Sequence, residues 1–453
     1  MLGRVSKILL IVLISRCNFS KSFAQADCSL LIPNPKSLLT KEQLVKDKEA
    51  LKNYHPNAFN SFSEIKWDSL IEMIAKDLPL EPIRETDKTL IRRKLLDIIT
   101  YEDPHLRFLP VLGKKGTLKI KMKKIKALPF NVINISDTLI IDESYNKNLI
   151  KGDRILSING ININDFLKSS YRDRYMSGYA LQTYHHFTFS SFYNIELIRN
   201  NKKVDVCVSG APLTNDFFYK LSGSIQEKIF DEQMTGYFRI DNFDYNQYLV
   251  KRLGRFLDKV KKKGYKNVII DIRKNPGGSG DRFDELFSMF TNKAIIPYQY
   301  RVKLKVSKAT YKNYSYSKED FGKLIDLPDS LIVKECPLDV SKYKGDINYY
   351  TLISKNTGSI ASSFANIMQY NELGLLVGEP LAHNALNYGE VITAERDNSF
   401  WAISTVENFE YTKAENGIIK PDISIPFVAS KYMNGKDPVL EECLEYIINN
   451  TDK

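Results

Sequence analysis

The chain has 453 residues, 43% of them hydrophobic and 26% charged, with a formal net charge of +11. That length allows two or three domains and a sizeable core, and the composition excludes a disordered or fibrous chain. The positive charge is densest at Lys261-Lys262-Lys263 and between Lys114 and Lys126. These runs lack interleaved aromatic platforms, so they read as solvated faces and no nucleic-acid partner is expected.

At the N-terminus, Arg4 and Lys7 precede the apolar run Ile8 to Ile14, and small residues follow at Ser22, Ala24 and Ala26. This is the pattern of a secretory signal peptide over residues 1–26, with an apolar core too short to span a bilayer. No integral membrane segment is expected after its removal. Cys28, Cys207, Cys336 and Cys443 then remain, with no C-x-x-C spacing for zinc. The expectation is free, buried thiols, no metal and no organic cofactor.

Residues 38–102 carry apolar positions at three- and four-residue spacing over Leu38 onward, Trp67 to Leu78 and Lys88 to Ile99, which predicts helices. Tyr54-His55-Pro56 breaks the first two, and His55 before a proline reads as structural. The helical part ends at Tyr101-Glu-Asp-Pro-His105-Leu-Arg-Phe. Only five histidines are present: His55, His105, His185, His186 and His383. The usual neutral-pH base for a serine is a histidine, so candidates are few, and a lone loop histidine such as His105 is by itself more often surface or core than catalytic.

From about 115 to 210 the pattern is β-rich: Leu128 to Ile133, Thr138 to Ile141, Ile195 to Ile198, and Gly152-Asp-Arg-Ile-Leu-Ser-Ile-Asn-Gly160, which ends in an Asn-Gly turn. The aromatic stretch Tyr171 to Tyr193 reads as packing or a substrate-lining insertion. It is not read as a metal site, because neighbours such as His185 and His186 point opposite ways on a strand.

Beyond about 213, strands and helices alternate: Gly236 to Ile240, Tyr248 to Lys262, Asn267 to Ile272, Phe283 to Phe290, Tyr349 to Ile353, Ser359 to Tyr370 and Gly374 to Val377. That order predicts an α/β core with helices covering a sheet. Lys305 to Lys342 reads as an insertion or crossing strand. Val391 to Ala394 and Phe400 to Thr405 form a hairpin pattern, and a helix runs to Ile448.

Two stretches in this core carry chemistry. An apolar strand leads into Asp271-Ile-Arg-Lys-Asn-Pro-Gly-Gly-Ser-Gly-Asp281, whose glycine pair suits close backbone approach to a reacting group. It lacks the Gly-Lys-Ser/Thr ending of a phosphate loop. A second strand stops at Asn356-Thr-Gly358, and Ser359 opens a helix. Ser359 is either an N-cap or a nucleophile whose oxyanion the Ile360 amide would hold at the helix N-terminus.

Together these stretches resemble the tail-specific (C-terminal processing) and tricorn-core serine peptidases. The Asp-x-Arg-x-Asn-x-Gly-Gly loop matches Asp271 to Gly278, and the run from serine through a helix to Val-Gly-Glu-Pro matches Ser359 to Pro380. Residues 152–160 look like a PDZ signature, and Glu415-Asn-Gly-Ile-Ile-Lys-Pro-Asp422 is similar to the family's closing segment, one residue shorter. The resemblance implies an α/β, multidomain fold: a helical N-terminal domain (27–112), a PDZ-like β-rich domain (113–212) and an α/β catalytic core of ClpP/crotonase type (213–453).

It also implies peptide-bond hydrolysis of extended or unfolded polypeptides in the bacterial periplasm, cell envelope or extracellular space. The lysine of the tail-specific dyad is replaced here by Asn384, which cannot take a proton from serine. The tricorn-type scheme remains, with Ser359 as nucleophile, His105 as base and Glu415 orienting it. The oxyanion hole would come from Gly277, Gly278 and Ile360. His383 is the alternative base. The competing expectation is an inactive relative that binds a peptide or an apolar ligand.

Overall fold

The structure is a computed structural model. It describes residues 36–56, 64–84, 88, 91–92, 107–110, 126–135, 138–164, 192–212, 225–243, 246–291, 295–327, 333–335, 347–381, 387–396, 399–428, 432 and 436–451. The segments 1–26 and 171–191, with His185 and His186, lie outside them.

Two N-terminal helices, α1 (Lys41–Tyr54) and α2 (Glu64–Lys76), occur where the apolar spacing predicts them. Thr40 and Gln43 form a capping box at the start of α1, each satisfying the other's backbone N–H. Their apolar faces meet over Trp67, Leu44 and Leu51, and the cluster includes Ile403 from the far end of the chain. The helices and that C-terminal strand therefore share one core. His55 closes α1, buried with its ring 5.2 Å from Tyr388. Strand β1 (Arg107–Pro110) follows.

Six strands then form one antiparallel sheet: β2 (Phe130–Ile135), β3 (Thr138–Ser144), β4 (Arg154–Ile158), β5 (Ile161–Asn162), β6 (Phe192–Arg199) and β7 (Lys202–Ser209). The order is β7-β6-β4-β3-β2, with β5 folded back on β4. The predicted turn is there: Ile158 pairs with Ile161, and Asn159 and Gly160 both have positive φ, as a tight two-residue hairpin turn requires.

The α/β core is built on a six-stranded sheet. Its elements are β8 (Ile225–Phe230), β9 (Thr235–Ile240), α3 (Asn246–Lys262), β10 (Asn267–Asp271), α4 (Phe283–Phe287), β11 (Gln299–Lys305), β12 (Leu324–Asp326), β13 (Asn348–Ile353), α5 (Ile360–Tyr370), β14 (Leu375–Gly378), β15 (Asn387–Arg396), β16 (Ser399–Glu410), β17 (Ile423–Ser424) and α6 (Pro438–Thr451). The sheet order is β8-β9-β10-β13-β14-β17, parallel from β9 onward.

Both faces are covered, which is why its strands read as unbroken apolar runs. Val268 and Ile270 pack with α3, α4 and α5, whereas Ile269 and Leu352 pack with Val439, Cys443 and Ile447 of α6. A second sheet, β12-β11-β16-β15, holds the predicted hairpin, and β1 pairs with β16. The thiol expectation needs correction: Cys443 is buried, but Cys207 lies on the exposed side of β7. A strand with one solvated face leaves every second residue outside.

Candidate active site

Strands β10 and β13 are parallel neighbours, with Asp271 opposite Leu352, so the loops leaving their C-terminal ends lie side by side. That edge is where open α/β sheets hold their ligands. One loop is Asp271 to Gly278 and the other ends at Ser359. They are stitched at four points. Ile272 N–H donates to Leu352 O (3.1 Å), Ser354 Oγ to Arg273 O (2.7 Å), Thr357 Oγ1 to Ile272 O (3.0 Å), and Gly358 N–H to Asn275 O (3.0 Å).

Ser359 sits at φ 53°, ψ −130°, on the left-handed side of backbone space that an L-residue adopts at a cost. Its side chain makes no capping bond to α5, although the residue occupies the N-cap position. The strain is therefore not repaid by a cap. Half-buried, it faces the glycine pair. A Cβ built on Gly277 would fall 2.6 Å from Ser359 Cβ and 3.1 Å from its Oγ, at φ 122°. Only glycine fits there.

The three amides expected to hold an oxyanion differ in their hydrogen bonds. Gly277 N–H donates to Asn275 Oδ1 at 2.9 Å, which removes it from the set of available donors. Among the described residues, the N–H groups of Gly278 and Ile360 meet no acceptor. An oxyanion hole needs such uncommitted donors.

Beneath the loops lies a buried charge network. Arg273 grips Asp271 (Nη2 to Oδ2 2.6 Å) and Asp437 (Nη1 to Oδ1 2.7 Å), and Tyr237 Oη donates to Asp271 at 2.7 Å. Burial pushes the Asp271 carboxyl up, but the Arg273 charge and hydrogen bonds, with Arg239 behind them, outweigh it and hold the group well below the usual carboxylate range. For Asp437 too, burial pushes the carboxyl up but the charge and hydrogen bond of Arg273 bring it below its usual value. It also caps α6 through Leu440 N–H (3.1 Å). An aspartate directly before Pro438 is a legible helix start.

Further buried residues went unnoticed in the sequence. Glu410, from β16, accepts from Ser363 Oγ and from Asn366 Nδ2 (3.0 Å) one and two turns after Ser359. Glu415 is different: it lies in a short 3-10 turn with its side chain 85% exposed, 3.9 Å from Lys420. His105, His383 and Asn384 lie outside the described residues. Strand β1 begins two residues after His105, with Arg107 opposite Ala402.

At the C-terminal edge of the parallel sheet, Ser359 is thus strained and packed against Gly277, next in the chain to amides that meet no acceptor among the described residues. Residues 234–425 match the sequence model of peptidase family S41, which supports a serine-type peptidase. No curated protein matches it in sequence. In fold it is similar to mature CPAF, with a TM-score of 0.64 at 13% identity over 90% of this chain and 97% of that one. Mature CPAF complexed with lactacystin gives 0.63 at 14%, over 90% and 98%. The photosystem II D1 C-terminal processing protease gives 0.49 at 14%, over 90% and 97%.

Proposed function

We propose that this serine-type peptidase is exported and hydrolyses peptide bonds in extended or unfolded polypeptides through an acyl-enzyme on Ser359. His105 takes the Ser359 proton and returns it to the leaving amine, in a tricorn-type arrangement. The oxyanion of the tetrahedral intermediate is held by Gly278 and Ile360. The observation that carries this reading is the conformation of Ser359, strained, uncapped and pressed against Gly277. A merely structural serine at a helix start has no use for such a conformation.

Glu415 is the acid expected to orient His105. Its exposure argues for a small contribution, because water screens an exposed charge. The β2–β7 sheet fits a PDZ-like role, in which a chain end adds to a sheet edge and is read mainly through its backbone. The site of action is the bacterial periplasm, cell envelope or extracellular space, reached through the signal peptide of residues 1–26.

The test is labelling by a fluorophosphonate probe. The mature protein should label, and Ser359→Ala and His105→Ala should not. His383→Ala should label normally, and Glu415→Gln should label within about tenfold of it, far short of the roughly 10⁴-fold loss from an essential triad acid. Loss with His383→Ala and not with His105→Ala moves the base to His383. A folded protein that never labels is a binding protein instead. Mass spectrometry of the secreted protein should place its first residue near Asp27; an intact N-terminus in the cytoplasm refutes export.

A further inference from the structure

We infer that Asp142 is a positioning residue for peptide hydrolysis: from the β2–β7 sheet it clamps Lys274 and so holds the glycine loop against Ser359. The inference rests on the reading of Ser359 as the nucleophile.

Asp142 lies in β3 and is 2% exposed, yet the two side chains that hydrogen-bond to it both come from outside the β2–β7 sheet. Lys274 Nζ donates to one carboxylate oxygen and Tyr432 Oη to the other. Lys151 Nζ stands 3.7 Å from the same group and 4.3 Å above the Tyr432 ring. Around this polar pin, Ile133 and Ile140 of the sheet pack against Tyr432 and Phe427. Burial pushes the Asp142 carboxyl up, but the charge and hydrogen bond of Lys274, helped by Tyr432 and Lys151, bring it below its usual value. The carboxylate is therefore charged, and a buried charge demands that its partners stay in place.

The position of Lys274 gives this contact its consequence. The residue before it, Arg273, has its carbonyl held by Ser354 Oγ. The residue after it, Asn275, has its carbonyl held by Gly358 N–H and its side chain held on Ile240 O (3.1 Å). These anchors all come from the α/β core. Asp142 supplies one from outside, in the middle of the loop and three residues before Gly277. Gly277 already touches Ser359 with no room for a methyl group. A shift of Lys274 is therefore passed along the chain to the Gly278 amide, the donor that must meet the oxyanion. Displacements of about 1 Å at such donors cost on the order of 100-fold in rate.

The test is a double-mutant cycle of Asp142→Asn, Lys274→Met and the pair, read as kcat, KM and fluorophosphonate labelling rate well below each variant's melting temperature. Each single change should lower kcat about ten- to hundredfold with KM within about twofold, and the pair should be no worse than the poorer single variant. If Asp142→Asn fails to fold, Lys274→Met, whose side chain is 28% exposed, decides the matter alone. Variants that melt earlier but keep the wild-type kcat, or losses that multiply in the pair, overturn the proposal. A wild-type protein that never labels removes the nucleophile reading and this inference with it. Wild-type labelling with unchanged variants removes the inference alone.

Discussion

Gly277→Ala is the sharpest perturbation the site offers. At φ 122° an alanine is strained by about 1–3 kcal/mol. Its methyl carbon would also lie 3.1 Å from Gly358 O and only 2.6 Å from Ser359 Cβ, where carbon atoms normally rest about 3.5–4.0 Å apart. The loop must therefore retreat by roughly 1 Å, carrying the Gly278 amide with it, and about 100-fold of the labelling rate should be lost. The strain should lower Tm by roughly 2–10 °C.

Gly264→Ala is the control. Its φ is 74°, but nothing lies within 4 Å of the added methyl group, so it should lose about 1–2 kcal/mol of stability and no activity. The assay is fluorophosphonate labelling beside thermal melts for both variants. A Gly277→Ala protein that labels within about twofold of wild type would refute the claimed contact between glycine loop and nucleophile.

Arg273→Met leaves the buried Asp271, beside a part-exposed Asp437, without its cation, and should destabilise the fold by about 3 kcal/mol or more in chemical denaturation. Asp271, Asp437 and Asp142 all have lowered folded-state values, so the unfolded chain binds more protons than the native one below about pH 4. Their stabilisation is complete above about pH 5 and is lost as the pH falls, by up to about 1.4 kcal/mol per group per pH unit. Asp437→Asn should flatten that slope, and identical slopes in denaturation series from pH 6 to 3 would contradict it. Burial pushes the Cys443 thiol up to about 12, with Asp271 and Asp437 adding to it against Arg273, so at pH 8 only about one molecule in 10⁴ carries its thiolate. In the native protein a thiol reagent should modify Cys207 and spare Cys443, as peptide mapping would show.

Much of the fold is legible because its signals are local. Val268-Ile269-Ile270 reads as a strand buried on both faces, and Asn159-Gly160 reads as a hairpin turn, because in each case neighbouring residues alone carry the pattern. The site is legible in part. The glycine pair and Ser359 announce close backbone approach and a helix start. Whether Ser359 caps the helix or faces the glycines depends on its φ, which no neighbour in the sequence reveals. Gly277 and Gly278 look alike as residues, yet the Asn275 side chain spends one amide and leaves the other. Cys207 departs from expectation for a related reason: composition favours buried thiols, but strand alternation decides which face a residue takes.

The sequence by itself determined the strands, the helices and the two loops proposed to carry the chemistry, since periodicity and turn residues act over a few positions. Only the tertiary structure decided that Asp437 shares Arg273 with Asp271 across 164 residues, and that Asp142 reaches Lys274 across 132. Such pairings arise because a buried charge must find an opposite one in space, and nothing in the spacing of residues along the chain records where that partner will be.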